Sequence, residues 1–194
     1  MEKIQLFLDY ANINESAKKF GYEIDYDMLL NRQLASLDEG RVLTGAFAYV
    51  SRDPRSEFAN DKIIDELWNS GFFVNSKVGQ ISGLTYRCNF YVEIAMDIIK
   101  IAINNKPDII VLVSADRDFI PVIRELRTMG IRVEIASFKD EVSRDLKQIS
   151  SGFIALDEYF IEAEAEANEV KNDEIATNDD SSDDKENIDS NLNK

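Results

Sequence analysis

Among 194 residues the chain has no histidine, one cysteine, one tryptophan and three prolines. Without imidazole, histidine-based serine or cysteine triads, His-ligated zinc and paired-histidine ribonuclease chemistry are all excluded. Any catalytic metal must be held mainly by oxygen, which favours Mg²⁺ or Mn²⁺. A lone Cys88 has no internal disulfide partner, which fits a reducing cytoplasm. Apolar runs are short. Ile109–Val113 is among the longest, far below what a membrane span needs, so no membrane association is expected. The opening Met1-Glu2-Lys3-Ile4-Gln5 leads straight into a strand-like run, so no signal peptide is expected and the expected location is cytoplasmic.

Hydrophobic residues make up 44% of the chain, enough for one domain with a real core. The net charge of −15 is unevenly spread. From Asp157 onward there are 14 acids and 3 lysines, a net of −11, which leaves −4 for the 156 residues before it. The main domain is therefore only mildly acidic. No strongly basic face advertises a nucleic-acid ligand, although one is not ruled out.

Strand-like and helix-like stretches alternate along the chain. Ile4–Leu8 and Val42–Val50 read as strands. Tyr26–Leu37 has helical spacing through Met28, Leu29, Leu30, Leu34 and Leu37, and Phe58–Trp68 repeats it. Gly71 ends that helix and Phe72-Phe73-Val74 starts a strand. Lys77–Arg87, with Gly79 and Gly83, reads as a loop or hairpin. Then come a helix over Phe90–Ile103, a fully apolar strand Ile109–Val113, a helix over Phe119–Met129, a strand Ile131–Ala136, a short helix Val142–Ile149 and a short strand Phe153–Leu156. The alternation predicts an α/β fold: a three-layer α/β/α sandwich around a mostly parallel sheet. The domain is expected over residues 1–160. Residues 161–194 read as an acidic tail, rich in Asp, Asn and Ser beyond 172, with almost nothing to bury.

Open parallel sheets bind ligands beyond the carboxyl ends of their strands, so the polar residues that follow apolar strands matter most. The first strand delivers Asp9 and then Asn12. The strand Ile109–Val113 delivers Ser114, Asp116 and Asp118. Asp116 and Asp118 are two apart, so one turn can aim both at one ion, and Ser114 can cap or ligate. Asp118 alone has an ordinary use as a helix N-cap. The predicted helix over Phe90–Ile103 adds Glu93 and Asp97, four apart on one face with no cation at the next i+4 position. Clustered carboxylates repel one another, and a bound cation would relieve the repulsion.

Three stretches resemble the NYN domain family, a branch of the PIN-like nuclease superfamily, and more narrowly its LabA-like (DUF88) group. Leu6-Phe7-Leu8-Asp9-Tyr10-Ala11-Asn12 resembles an apolar strand followed by D-x-x-N. Arg87–Asp97 is similar to the K-G-x-x-D-V-x-x-A-x-D segment. Ser114-Ala115-Asp116-Arg117-Asp118-Phe119-Ile120-Pro121 resembles S-G-D-x-D-F-x-P. The resemblance implies a PIN-like (Rossmannoid) fold and a metal site of Asp9, Asp97, Asp116 and Asp118, the catalytic residues. It further implies Asn12 and Ser114 orienting the substrate, and RNA cut by a metal-activated water. Two departures stand out: the family often has Asp where this chain has Tyr91, and Lys-Gly where it has Arg87-Cys88. Glu93 is no simple substitute for the missing acid, since two residues turn a helix by about 200°.

The function expected is thus a Mg²⁺- or Mn²⁺-dependent ribonuclease, with Glu93, Arg117 and Arg87 as accessory residues. Lys77 and the rings of Tyr10, Tyr86 and Tyr91 are further candidate RNA contacts. The rival is a non-catalytic regulatory module that binds RNA or a protein partner. Toprim-type and receiver-type sites fit less well, because the first strand ends Leu8-Asp9-Tyr10. Oligomeric state is left open, a homodimer included.

Overall fold

The computed structural model describes residues 1–34, 40–56, 58–158 and 160. Met1–Asp157 form one compact unit. The expected boundary at 160 and the acidic tail fall in a second, Glu158–Lys194, of which only Glu158 and Phe160 are described.

In chain order the strands are β1 (Glu2–Asp9), β2 (Arg41–Arg52), β3 (Phe73–Val78), β4 (Gln80–Ser82), β5 (Thr85–Arg87), β6 (Ile109–Val113), β7 (Arg132–Ser137) and β8 (Gly152–Ala155). The helices are α1 (Tyr10–Phe20), α2 (Tyr26–Met28), α3 (Asp61–Asn69), α4 (Tyr91–Asn105), α5 (Ile120–Thr128) and α6 (Arg144–Ile149). A π-helical segment, Leu29–Leu34, continues α2, and a single 3₁₀ turn, Arg117–Phe119, precedes α5.

Six strands form one sheet in the order β3-β2-β1-β6-β7-β8, and every neighbouring pair is parallel. β4 and β5 form a separate antiparallel hairpin whose turn holds Gly83 at φ +65°. β1 and β6 are central, and Ile4, Leu6, Phe7, Leu8 and Ile109 through Val113 are almost fully buried. Successive strand side chains point to opposite faces, so burial of all of them requires cover on both. On one face Phe7, Tyr49, Leu112, Val133 and Ile135 pack with Ile94 and Ile98 of α4, Ile123 and Leu126 of α5, and Leu146 of α6. Ile4, Leu6, Leu8, Val111 and Val113 project to the other face and are equally shielded. The result is the expected α/β sandwich.

With the hairpin set aside, the sheet runs 3-2-1-4-5-6, and the direction of winding reverses between β1 and β6. Such a reversal opens a crevice at the carboxyl edge, where ligands of open α/β sheets bind. The arrangement is not the receiver-type order, which has a single strand outside the first.

Three elements differ from expectation. α1 was not anticipated: Tyr10–Phe20 buries only Tyr10, Ile13, Ser16 and Ala17, a thin apolar stripe, and ends at Gly21 with φ +79°. The helix expected from Phe58 begins at Asp61, with Phe58 itself 73% exposed. The helix expected over Tyr26–Leu37 is α only to Met28 and π-helical to Leu34, and residues 35–37 lie outside the described ones.

Candidate metal centre

The crevice is built by register. Leu8 pairs with Val113. One step further, Asp9 and Ser114 lie side by side as both strands end. Ser114 is fully buried. Its hydroxyl donates to Asp9 Oδ2 at 3.3 Å and accepts the Asp116 N–H at 3.2 Å. Asn12, on the first turn of α1, accepts the Ala115 N–H on its Oδ1 at 2.9 Å. Asp116 caps the 3₁₀ turn, its Oδ1 accepting the Asp118 N–H at 2.8 Å. Asp116 is half-buried and Asp118 exposed.

Asp9 is buried, with 7% exposure. Burial raises its carboxyl to about 6, against the hydrogen bonds from Asn12 and Ser114, which lower it. The negative charges of Asp116 and Glu15 push it further up. An ionised acid at this site is therefore held at a cost, first through burial and then through the neighbouring carboxylates.

Tyr91, the first residue of α4, lies within electrostatic reach of the same acids. The carboxylate of Asp116 is the main cause raising the phenol above its usual range. Burial and the charges of Asp116, Asp9 and Asp118 add to that rise. Its ring stands edge-on to Phe119, with centroids 5.6 Å apart.

Asp97 does not join this group. Its Oδ2 accepts the hydroxyl of buried Tyr49 at 2.9 Å and its Oδ1 lies 3.6 Å from the Lys100 ammonium. Both line a separate recess of about 440 Å³ with Asn75, Lys77, Phe90 and Glu93. The four-aspartate convergence that the resemblance implies does not include Asp97 here, since Tyr49 of β2 and Lys100 hold its carboxylate. Among the described residues no three His, Cys, Asp or Glu side chains form a group able to hold one ion. The pairing of Glu93 with Asp97 around a cation is also corrected. Glu93 has an ion pair with Lys77 of β3, which holds its carboxyl below the usual range, and Lys100 lies three residues after Asp97 rather than four.

The orienting roles expected of Asn12 and Ser114 turn inward. Each ties β1 or α1 to the loop after β6, so they orient Asp9 and Asp116 rather than a substrate. Tyr10 is buried with its ring against Tyr26, centroids 6.1 Å apart, and burial raises both phenols above their usual range, so Tyr10 is not free to stack on a base. Lys77 is occupied by Glu93 and lies over the Phe90 ring at 4.7 Å. Arg117 is 65% exposed with a long contact to Asp145 at 3.9 Å, and remains available to an anion. Arg87 lines a recess of about 360 Å³ with Lys77 and Asn89. The sequence pattern missed Tyr49 and Tyr91 as partners of the acids; a strand tyrosine facing the acid-bearing helix was the available signal for Tyr49.

Residues 3–157 match the NYN domain family over nearly the whole compact unit. The chain belongs to the NYN domain family. An uncharacterised protein of Methanocaldococcus jannaschii is 25% identical over 158 residues, which are 81% of this chain and 57% of that protein. The chain thus spans little more than half the length of that relative. A crystal structure of a Vibrio parahaemolyticus protein of unknown function shares the fold with a TM-score of 0.67 and 24% identity, over 82% of this chain and 95% of that one. Membership points to the PIN-like nucleases, hydrolases as a class. No helix among the described residues is long and apolar enough to cross a membrane.

The donor set of this NYN domain fits a hard cation. Mg²⁺ commonly takes one or two carboxylates and completes its shell with water and substrate phosphate. Asp9 and Asp116 are two carboxylates of that kind, with Asp118 beside them in the turn, and a cation there would offset the burial and repulsion that raise Asp9.

Proposed function

We propose that this NYN domain is a metal-dependent ribonuclease of the LabA-like branch, acting in the cytoplasm on RNA with Mg²⁺ or Mn²⁺ at Asp9 and Asp116. The observation that carries the reading is the buried, repelled Asp9 carboxylate beside Asp116 where the sheet reverses. A bound divalent ion supplies Lewis acidity toward a phosphate and a water acidic enough to attack at neutral pH. Asp9, at the end of β1, and Asp116, in the loop after β6, would hold it. Ser114 holds the Asp9 carboxylate and the Asp116 backbone N–H, Asn12 holds the Ala115 N–H, and Asp118 lies exposed in the same turn. Arg117, between the two acids of the turn, is placed to neutralise a phosphodiester.

The test is cleavage of single-stranded and structured RNAs by purified protein with Mn²⁺. Cleavage should stop with EDTA and fall at least about 100-fold in Asp116→Asn, the scale of losing a main electrostatic contact in a transition state. If no RNA of any structure is cut, the catalytic reading fails.

One observation favours a second reading, a regulatory module that binds RNA without cutting it. Among the described residues no three acids group to hold one ion, and Asp9 and Asp116 are joined only through Ser114. RNA binding that survives Asp116→Asn, with no cleavage, would favour it.

A further inference from the structure

α4 is apolar on two faces. Its inner face, with Ile94, Ile98 and Ala102, is buried against the sheet. Away from the sheet, Val92, Met96, Ile99 and Ile103 fall within about 60° of arc at the helical turn of about 100° per residue. Val92, Met96 and Ile103 are each more than half exposed, and Ile99 is half-buried beside them. An amphipathic helix normally turns charged and polar residues outward there. The adjoining edge strand β3 adds a second open apolar group. Phe7, Phe47 and Phe73 stack across β1, β2 and β3 with centroids 5.2 and 5.6 Å apart. The outermost ring, Phe73, projects to the α4 side of the sheet and is two-thirds exposed. A helix stripe and an edge-strand ring on one face form the kind of apolar patch that marks an interaction surface.

The stripe matches a second copy of itself. Its spacings of four, three and four residues are those of a coiled-coil seam. They also read the same in both directions. A two-fold axis midway between Met96 and Ile99 therefore lays Val92 against Ile103 of the other copy and Met96 against Ile99, the self-matching that a two-fold interface requires. Charge favours this antiparallel sense. Lys100 and Glu93 flank the stripe on the β3 side. Reversal about the axis brings Lys100 of one copy about 3 Å along the helix from both Glu93 and Asp97 of the other. A parallel pairing would instead set Lys100 against Lys100 and Glu93 against Glu93. The contact of Lys100 within its own chain, 3.6 Å to Asp97, is long and solvent-exposed and so costs little to share. Glu93, though paired with Lys77, keeps a half-exposed carboxylate with room for a second cation. We propose that α4 forms the centre of a two-fold homodimer interface, two copies packing antiparallel through Val92, Met96, Ile99 and Ile103 with Phe73 at the margin. The two acidic crevices then open at opposite ends of the paired helices.

The test is the mass of the full chain in solution, by light scattering and sedimentation equilibrium at about 50 µM, enough to populate a dimer of micromolar affinity. The mass should be twice the 22.1 kDa of one chain. Met96→Glu alters an exposed side chain, so the fold is not at risk, and circular dichroism checks that. It should weaken association at least about 30-fold, because each dimer would bury two unpaired carboxylates. Leu84→Glu makes the same change at an exposed residue of the β4–β5 turn and should leave association unchanged. In a Cys88→Ser background, Val92→Cys together with Ile103→Cys should cross-link two copies on mild oxidation. Either alone should not, since the axis keeps like positions roughly 16 Å apart. A parent that is monomeric at this concentration overturns the inference. So does a dimer that Met96→Glu leaves intact, or one that Leu84→Glu breaks equally. Cross-linking by either single variant, or none by the pair, refutes the antiparallel arrangement.

Discussion

Replacing Asp9 with asparagine should stabilise the metal-free protein at neutral pH, against the usual expectation for a buried substitution. The folded-state carboxyl lies at about 6, above its ordinary 3.8. Folding therefore favours the protonated acid. This contribution is fully present below pH 3.8 and is lost as pH rises through 6. At pH 7.5 the ionised carboxylate costs about 3 kcal/mol relative to a neutral isostere, from a shift of roughly two units at 1.36 kcal/mol each. Asparagine keeps an oxygen to accept from Asn12 or Ser114 and carries no charge. For a domain of this size that corresponds to roughly 6–12 °C in Tm. Chemical denaturation of the two proteins in EDTA at pH 4.5 and 7.5 checks it. Other titrating groups are common to both proteins and cancel in the difference. The advantage of Asp9→Asn should grow by about 2 kcal/mol between the two pH values, because part of the cost is already present at pH 4.5. A variant less stable than the parent at pH 7.5, or a difference independent of pH, would refute the account of Asp9 as a repelled, desolvated acid.

Asp97→Asn should leave Mn²⁺ affinity within about 2-fold of the parent, because Asp97 is held by Tyr49 and Lys100 in its own recess and a charge that far from the ion is largely screened. A loss as large as that of Asp116→Ala, in the same titration, would show that Asp97 does reach the ion. Asn12→Ala should cost about 1–2 kcal/mol in urea denaturation, since it leaves the Ala115 N–H without its side-chain acceptor. An unchanged midpoint would mean that water replaces the Asn12 oxygen at no cost.

The sheet was legible because its central strands are unambiguous. Ile109–Val113 is apolar at every position, which only a strand buried on both faces tolerates, and the structure reproduces its bounds. α1 was hidden by its composition: Asn, Glu, Ser and Lys cover all but a narrow apolar stripe, and Asp9 ahead of it read as loop. The acids were legible one by one, since each follows an apolar strand or shares a helix face. Their grouping was not. Helical periodicity says which side of α4 carries Asp97 but not which strand side chain meets it. That depends on β2 lying parallel to β1 with Asp9 opposite Tyr49. The bonds from Asn12 to Ala115 and from Ser114 to Asp9 join residues more than 100 apart. No local pattern encodes such bonds, because they arise only when two strand ends become neighbours.

The same topology explains why Asp9 and Asp116 remain the core of the site once Asp97 is set aside. Adjacent parallel strands that end together must bring their next residues within reach, whatever the flanking helices do. Tyr91 opens α4 with its ring against Phe119, while Asp97 lies six residues and roughly 9 Å further along the axis, held by Tyr49 and Lys100. On the metal-site reading, Asp9 at the end of β1 and Asp116 in the loop after β6 are then the carboxylates left to carry a cation. That makes the site's strength depend on burial around Asp9 more than on ligand number, which is why the neutral-pH cost of that one carboxylate is the quantity most worth measuring.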